Sequence, residues 1–314
     1  SALPLISTLK SDQYADGKRE YALRNEKNLP AITLSEMINF IAADNGTNIV
    51  RVENNEPVYY FPSTSVNFIC KSTKFPGYEN MQLMDTINIR LNKSYITKSE
   101  IMVLDFISNN YSQRPFYYAT TVGNDAFAYV DKYCWNEGFA YRLAPYIATN
   151  ETSTAIASDI MYKNLMEIFT YPSSTKTDEN SSRFVSNYRI QFATLATQFI
   201  NDNKKELAEK LLDKCQLLFP PEKGNFDEGT CYMINVYCQL NLNTKAEKLA
   251  ETEYPKLQKY IQLLKTRKKG SPDNLSEKKR LVYTTEYIAN SLEQHGAGNL
   301  AKKYRSLIAE SNKE

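Results

Sequence analysis

The chain of 314 residues is long for one compact domain and sufficient for two. Apolar residues at 42% and charged residues at 24% support a folded core and exclude global disorder. Lys plus Arg (38) nearly cancels Asp plus Glu (36), leaving +2, so the strong positive field of a dedicated nucleic-acid binder is excluded; no apolar run approaches the roughly 20 residues that cross a bilayer.

Residues 1–30 form a lead segment. It opens Ser1-Ala2-Leu3-Pro4, without Met and without a basic-then-apolar leader, which reads as a processed or excised chain. Residues 31–150 read as a mixed-sheet α/β domain. Thr33-Leu34-Ser35-Glu36 is a capping box, followed at helical spacing by Met37, Ile38, Phe40 and Ile41 and closed by Asn45-Gly46. Asn48–Val52 and Val58–Phe61 flank a polar turn and predict a hairpin. Ser65–Cys70 and Thr86–Leu91 predict further strands. Thr97-Lys98-Ser99-Glu100 is a second capping box, opening a helix that stops near Asn109-Asn110. Pro115–Val122 reads as a buried strand, so strand, capped helix and strand predict a right-handed βαβ crossover. Phe139–Tyr146 closes the domain, with Phe139, Tyr141 and Leu143 on one side and Arg142 on the other.

After Asn150 the β signals vanish. Residues 151–182 are a polar connector around a short helix, Met161–Phe169, and residues 183–314 read as all-helical, in tetratricopeptide-like repeats. Ala196, Ala208 and Pro220 are spaced by 12, with Phe199 three after Ala196. Ala246 restarts the pattern 38 residues after Ala208, Tyr237 matching Phe199. Ala289 and Ala301, again 12 apart, mark a third copy, set further on by a long helix ending near Arg267. The fold class is therefore α+β: a mixed-sheet α/β domain, then helical hairpins.

Little residue chemistry stands out. Cys70, Cys134, Cys215, Cys231 and Cys238 have neither zinc nor disulfide-framework spacing; Cys231 and Cys238, seven apart, share a helix face and read as small core hydrophobes. The lone His295 precedes Gly296 at a helix C-terminus, a capping position with no base–nucleophile partner placed by sequence. Lys265–Lys269 with Lys278-Lys279-Arg280 is the one basic cluster, read as a solvated helix end and loop rather than a phosphate site. Asn-x-Ser/Thr triplets begin at Asn45, Asn92, Asn110, Asn150, Asn180 and Asn274, a number such a composition produces by chance. No metal site, no cofactor motif and no catalytic constellation emerge.

The distinctive stretch is Arg114-Pro115-Phe116-Tyr117-Tyr118-Ala119 with Trp135-Asn136-Glu137-Gly138-Phe139-Ala140-Tyr141-Arg142-Leu143-Ala144-Pro145. Arg114, Tyr117, Trp135, Glu137, Tyr141 and Arg142 are the candidate ligand-binding residues: Trp135 and Tyr117 would stack on a sugar or peptide while Arg142 and Glu137 fix polar groups. The competing reading is structural, Glu137 paired with Arg142 or Arg114 beneath an aromatic core.

These segments, with Ile32–Phe40, Met161-Tyr162-x-Asn164-Leu165-Met166 and Arg183-x-x-x-Asn187-x-Arg189, resemble the C-terminal soluble part of large bacterial multi-span membrane proteins. Their N-terminal membrane domain is related to the protein O-mannosyltransferases, a lipid-sugar-dependent glycosyltransferase family. Arg114–Ala119 is similar to that family's Arg-Pro-(aromatic or Ile)-Tyr-(aromatic)-Ala. Glu137–Pro145 is similar to its Glu-Gly-Leu-Ala-Tyr-Arg-Leu-x-Pro, with Phe139 replacing Leu. The resemblance spans most of residues 30–255. It implies a noncatalytic periplasmic appendage, tethered to the inner membrane in the parent, with the catalytic acid and lipid-phosphate site in the membrane half. Its partners would be an acceptor polypeptide, the parent's own membrane domain or a glycan. Competing readings are a free-standing secreted adaptor and a soluble carbohydrate-active enzyme pairing Glu137 with Asp125 or Asp131, which would need an open cleft with carboxyls roughly 5–9.5 Å apart.

Overall fold

A computed structural model describes residues 4–17, 19–24, 29–52, 55–70, 75–79, 81–146, 155–171, 179–266 and 272–311. The chain divides into two compact units, Ser1–Ala157 and Ser158–Glu314.

In the first unit the two capping boxes form as written. Thr33 accepts from Glu36 N–H at the start of α2 (Leu34–Ala42), and Thr97 does the same for Glu100 at the start of α3 (Lys98–Asn110); each Glu reaches back to its cap residue. A short α1 (Ser11–Ala15) precedes them. The end of α2 comes earlier than expected. Ala43 is already extended, and the Asn48 side-chain amide takes the freed carbonyls of Phe40, Ile41 and Ala43, so Asn45-Gly46 lies in the following turn.

Eleven short strands make three small sheets among the described residues. The first has the order β3 (Ile49–Arg51), β4 (Pro57–Phe61), β1 (Tyr21–Arg24), β7 (Tyr95–Thr97), with β1 and β4 parallel and the other pairs antiparallel. The second is β2 (Ile32–Thr33), β5 (Ser65–Ile69), β6 (Thr86–Arg90). The third is β11 (Ala155–Ile156), β9 (Cys134–Asn136), β10 (Ala140–Leu143), β8 (Tyr117–Ala119). The hairpin and the strands at 65–70 and 86–91 are thus present. The βαβ crossover is not: β6, β7 and β8 fall in three different sheets, and α3 joins a strand of the first to a strand of the third. Nor is Pro115–Val122 a buried strand. Only Tyr117–Ala119 pairs, at a sheet edge, because Val122 turns back to the Ala119 carbonyl. The β signal also does not end at Asn150, since β11 adds to the third sheet. Residues 1–30, read as a lead segment, contain the strand β1 at the interior of its sheet.

The core of this unit gathers Leu34, Met37, Ile38 and Ile41 of α2, Ile101, Leu104 and Ile107 of α3, and inward strand residues such as Phe61, Val66, Ile87, Ile89 and Ile96. Each large side chain so buried contributes roughly 1.5–3 kcal/mol. Residues 6–9 are strapped along α3. Buried Asp105 accepts from the Thr8 and Leu9 N–H groups and from the Ser7 and Tyr14 hydroxyls, while Asn110 exchanges bonds with the Ile6 backbone.

The second unit begins with α4 (Ser158–Lys163) and a short π-helix (Asn164–Ile168), and is then helical as expected: α5 (Glu179–Asn201), α6 (Lys205–Leu218), α7 (Glu228–Gln239), α8 (Asn243–Thr266), α9 (Pro272–Gln294) and α10 (Gly298–Ser311). These form three hairpins, α5–α6, α7–α8 and α9–α10, with α5, α7 and α9 packed in succession. The repeat is visible in the backbone. A left-handed residue turns each hairpin at Asn203 (φ 59°), Asn241 (φ 60°) and Gly296 (φ 90°), each five before the alanines 208, 246 and 301. The same bond closes each helix, from Lys204, Leu242 and Ala297 N–H to the carbonyls of Phe199, Tyr237 and Leu292. Ala196, Ala208, Ala246, Ala289 and Ala301 are all buried between helices, as are Phe199 and Tyr237. Gly229 on α7 lies so near α5 that a Cβ there would stand 2.4 Å from the Ser186 carbonyl oxygen and 2.6 Å from Arg189 Cβ.

All five cysteines are free and buried. His295 Nδ1 lies 2.8 Å from the Ser291 carbonyl, beside the left-handed Gly296, as a helix-end residue should. Arg280 of the basic cluster pairs with Glu228 and Glu277; residues 267–269 lie outside the described residues. Of the glycosylation triplets, Asn110 and Asn274 are buried and Asn150 lies outside the described residues. Among the described residues no helix is long and apolar enough to cross a membrane, and no group of His, Cys, Asp or Glu has the geometry to hold a metal.

Candidate functional site

The third sheet aligns three of the candidate residues in one row. Arg142 on β10 stands opposite Tyr117 on β8 and opposite Trp135 on β9, whose other neighbour is Ala155. Directly opposed residues share a face, so Tyr117, Arg142 and Trp135 project together, and Tyr141 beside Tyr118 projects the other way. Tyr141 accordingly packs on Phe127 at 5.7 Å, in the core of the unit, and burial raises its phenol. It is not part of the site. Arg114 is also elsewhere: it reaches the Pro4 carbonyl at 3.1 Å.

Arg142 is the centre of the row. Its guanidinium lies over the Phe75 ring at 4.1 Å and the Tyr117 ring at 5.6 Å, and one terminal nitrogen is 3.5 Å from Glu137. A planar guanidinium set over two aromatic rings at once is an arrangement that lysine cannot reproduce. Glu137 sits in the β9–β10 turn, where left-handed Gly138 (φ 118°) donates its N–H to the Asn136 side chain and Glu137 N–H bonds the Ala140 carbonyl. The Glu137 carboxylate accepts from the Tyr78 hydroxyl at 3.0 Å. Burial and then the Glu137 charge push the Tyr78 phenol well above its ordinary value, and the same two causes raise Tyr117.

Trp135 does not offer a stacking face. It is 5% exposed, edge-on to Tyr78 at 5.7 Å, with Tyr78 stacked in turn on Tyr146 at 4.8 Å. Its indole N–H is buried without a hydrogen-bond acceptor among the described residues, a cost of about 1–3 kcal/mol. The row therefore has a closed end at Trp135 and an open end at Tyr117, which is 48% exposed. Of the six candidates, the structure unites Tyr117, Trp135, Glu137 and Arg142, and the pairing with Glu137 is made by Arg142. Phe75, Tyr78 and Tyr146 complete the cluster. The carboxylate-pair reading finds no open cleft among the described residues: Glu137 is buried against Arg142 and Tyr78, while Asp125 is in solvent 3.5 Å from Lys93 and Asp131 is exposed.

The second unit holds two features that spacing did not mark. Tyr232 of α7 and Tyr287 of α9 have ring centroids 5.6 Å apart, with Tyr283 one turn away and 69% exposed. Tyr232 and Tyr287 each lie 14 residues before the alanines 246 and 301, so they are the same position of successive hairpins. The other feature is a buried polar chain. Arg189 pairs with Asp227 and donates to the Phe219 carbonyl at 2.9 Å, Asp227 caps α7 through the Thr230 N–H, and Glu253 bonds both Asp227 N–H and Lys256. A cavity of about 100 Å³ beside it is lined by Tyr171, Arg189, Phe219, Phe226 and Asp227 among others.

A mixed-sheet unit with a stacked Arg–aromatic row, followed by a stack of helical hairpins, defines a modular protein of the α+β class. Residues 1–161 match the family described as TMEM260-associated domain 2, and the chain belongs to that family; it is a module of a TMEM260-like membrane protein. No curated protein and no solved structure matches the chain.

Proposed function

We propose that this chain is a noncatalytic, extracytoplasmic module of a glycosyltransferase-like membrane protein, in which it binds acceptor polypeptide. In a bacterial parent that location is the periplasm. The family match supports the membrane-protein parent, and the resemblance to the soluble part of O-mannosyltransferase-related proteins supports the transferase class and the location. The observation that carries the binding role is the tyrosine cluster on α7 and α9. Tyr232, Tyr283 and Tyr287 occupy neighbouring positions on successive hairpins, Tyr232 and Tyr283 exposed and Tyr287 half-buried beneath them, and exposed tyrosines on a helical stack supply rigid, amphipathic contact area at low entropic cost. The test is titration of the purified chain with a reduced, carboxymethylated, unfolded protein, followed by interferometry. Saturable binding that weakens about tenfold in Tyr232→Ala and Tyr287→Ala supports the role. Absence of binding at millimolar concentration overturns it.

A further inference from the structure

We infer that β8 is a docking edge on which an extended polypeptide adds as a fifth strand of the third sheet, its side chain continuing the Trp135–Arg142–Tyr117 row. This deepens the proposed role of binding acceptor polypeptide and rests on it.

The register supplies the argument. Leu143 N–H bonds the Phe116 carbonyl at 3.0 Å, so in this antiparallel pair residues 116 and 118 turn their backbone groups toward β10. Tyr117 and Ala119, one step out of phase, turn theirs away. The Ala119 carbonyl is taken by Val122 N–H at 3.2 Å. Among the described residues the Tyr117 N–H and C=O and the Ala119 N–H have no partner, and both residues are exposed. These are the groups that a further strand pairs with.

Three other edges in the unit, those of β3, β7 and β6, are guarded. β3 ends in Arg51 and β7 lies between Lys93 and Lys98. β6 carries Arg90, and the Tyr133 hydroxyl occupies its Asn88 carbonyl at 3.2 Å. Charges and side-chain covers of this kind are what keep edges from pairing with another chain. Tyr117-Tyr118-Ala119-Thr120 carries no charge. It also offers a side-chain subsite, because a residue opposite Tyr117 on an added strand would lie against the exposed Tyr117 ring, whose far side is fixed by Arg142. The occupant is thus an extended peptide with an aromatic or β-branched residue at that place, and not proline, which has no N–H for the Tyr117 carbonyl.

Ala119→Pro is the decisive variant. Its lost N–H points out of the sheet, where proline is tolerated in an edge strand, so the β8–β10 pairing persists while the docking edge loses a donor and meets a ring. The probe is acetyl-Thr-Val-Thr-Val-Thr-Val-amide, with its alternately N-methylated analogue as control, each followed by NMR titration of the full chain. The expected result is saturable binding of the unmethylated peptide, with shifts at residues 117–120, weakened tenfold or more by N-methylation and by Ala119→Pro and a few-fold by Tyr117→Ala. Equal binding of the two peptides, indifference to Ala119→Pro, or no binding of either peptide overturns the proposal. If the unfolded protein still binds and responds to Tyr232→Ala while Ala119→Pro leaves it unchanged, the docking edge fails and the polypeptide-binding role stands. If the unfolded protein does not bind at all, the role itself fails.

Discussion

The Glu253 carboxylate on α8 accepts the backbone N–H of Asp227 at 3.0 Å, and so holds the residue that caps α7. It does this from a fully buried position, with Lys256 3.0 Å away. Burial, then the neighbouring Asp227 charge, pushes the Glu253 carboxyl up to about 7.

A pH dependence follows from that shift. The folded value lies above the ordinary 4.5, so protonation favours the fold. The stabilisation from this group is complete below about 4.5 and is lost as pH rises through 7. Thermal melts between pH 4.5 and 8 should show a stability loss in this window that Glu253→Gln flattens. An unchanged profile in the variant would remove Glu253 as its source.

Gly229→Ala sets helix propensity against packing. Alanine is better than glycine in a helix by about 1 kcal/mol. Against that, its Cβ would stand 2.4 Å from the Ser186 carbonyl, backbone that cannot move without separating α5 from α7. Packing should win, with a net loss of about 1–3 kcal/mol in urea denaturation.

Arg142→Lys should cost about 1–2 kcal/mol although the charge is kept, because the planar group over the Phe75 and Tyr117 rings is lost. A double-mutant cycle with Tyr117→Phe, which keeps the ring, should show little coupling, and one with Tyr117→Ala a measurable one. Equal coupling in the two cycles would point to the Tyr117 hydroxyl instead.

Asp105→Ala removes the acceptor shared by Ser7, Thr8, Leu9 and Tyr14. Stability should fall by about 3 kcal/mol, and hydrogen exchange at the Thr8 and Leu9 amides should accelerate well beyond that of the α2 amides. Uniform acceleration would mean that the strap opens only with the whole unit.

The cysteines should resist modification in the native protein. All five are buried, and burial raises the thiols, Cys70 and Cys215 to about 12 and Cys238 to about 11. Ellman's reagent should react with all five only after denaturation; fast native labelling of even one would contradict this burial.

What could be read in the sequence was local. The capping boxes at Thr33 and Thr97 need only four residues each, and the 12-residue alanine spacing needs only one hairpin. Strand parity at Tyr141 and Arg142 was also legible, and taken seriously it separates these two residues onto opposite faces. The strands β1 and β9 were not legible, being three or four residues long without alternation and defined by distant partners. Trp135 illustrates the same limit. Nothing near it in sequence shows that Tyr78, far upstream, covers its ring. Glu253 did leave a signal: it occupies the stripe of Ala246, Leu249, Ala250 and Leu257, where a carboxylate must be buried.

The interior position of β1 has a consequence for the order of assembly. Ala22 is paired with Tyr59 on one side and Ile96 on the other, partners 37 and 74 residues downstream. The strand can therefore pair on one side once β4 has followed it, but its other side stays open until β7, just before α3 begins. Each helical hairpin, by contrast, finds its partner across a turn of a few residues. Closure of distant pairs is the slow step in such mixed topologies, so the sheet unit should set the refolding rate and be the half that needs protection while the chain is being made.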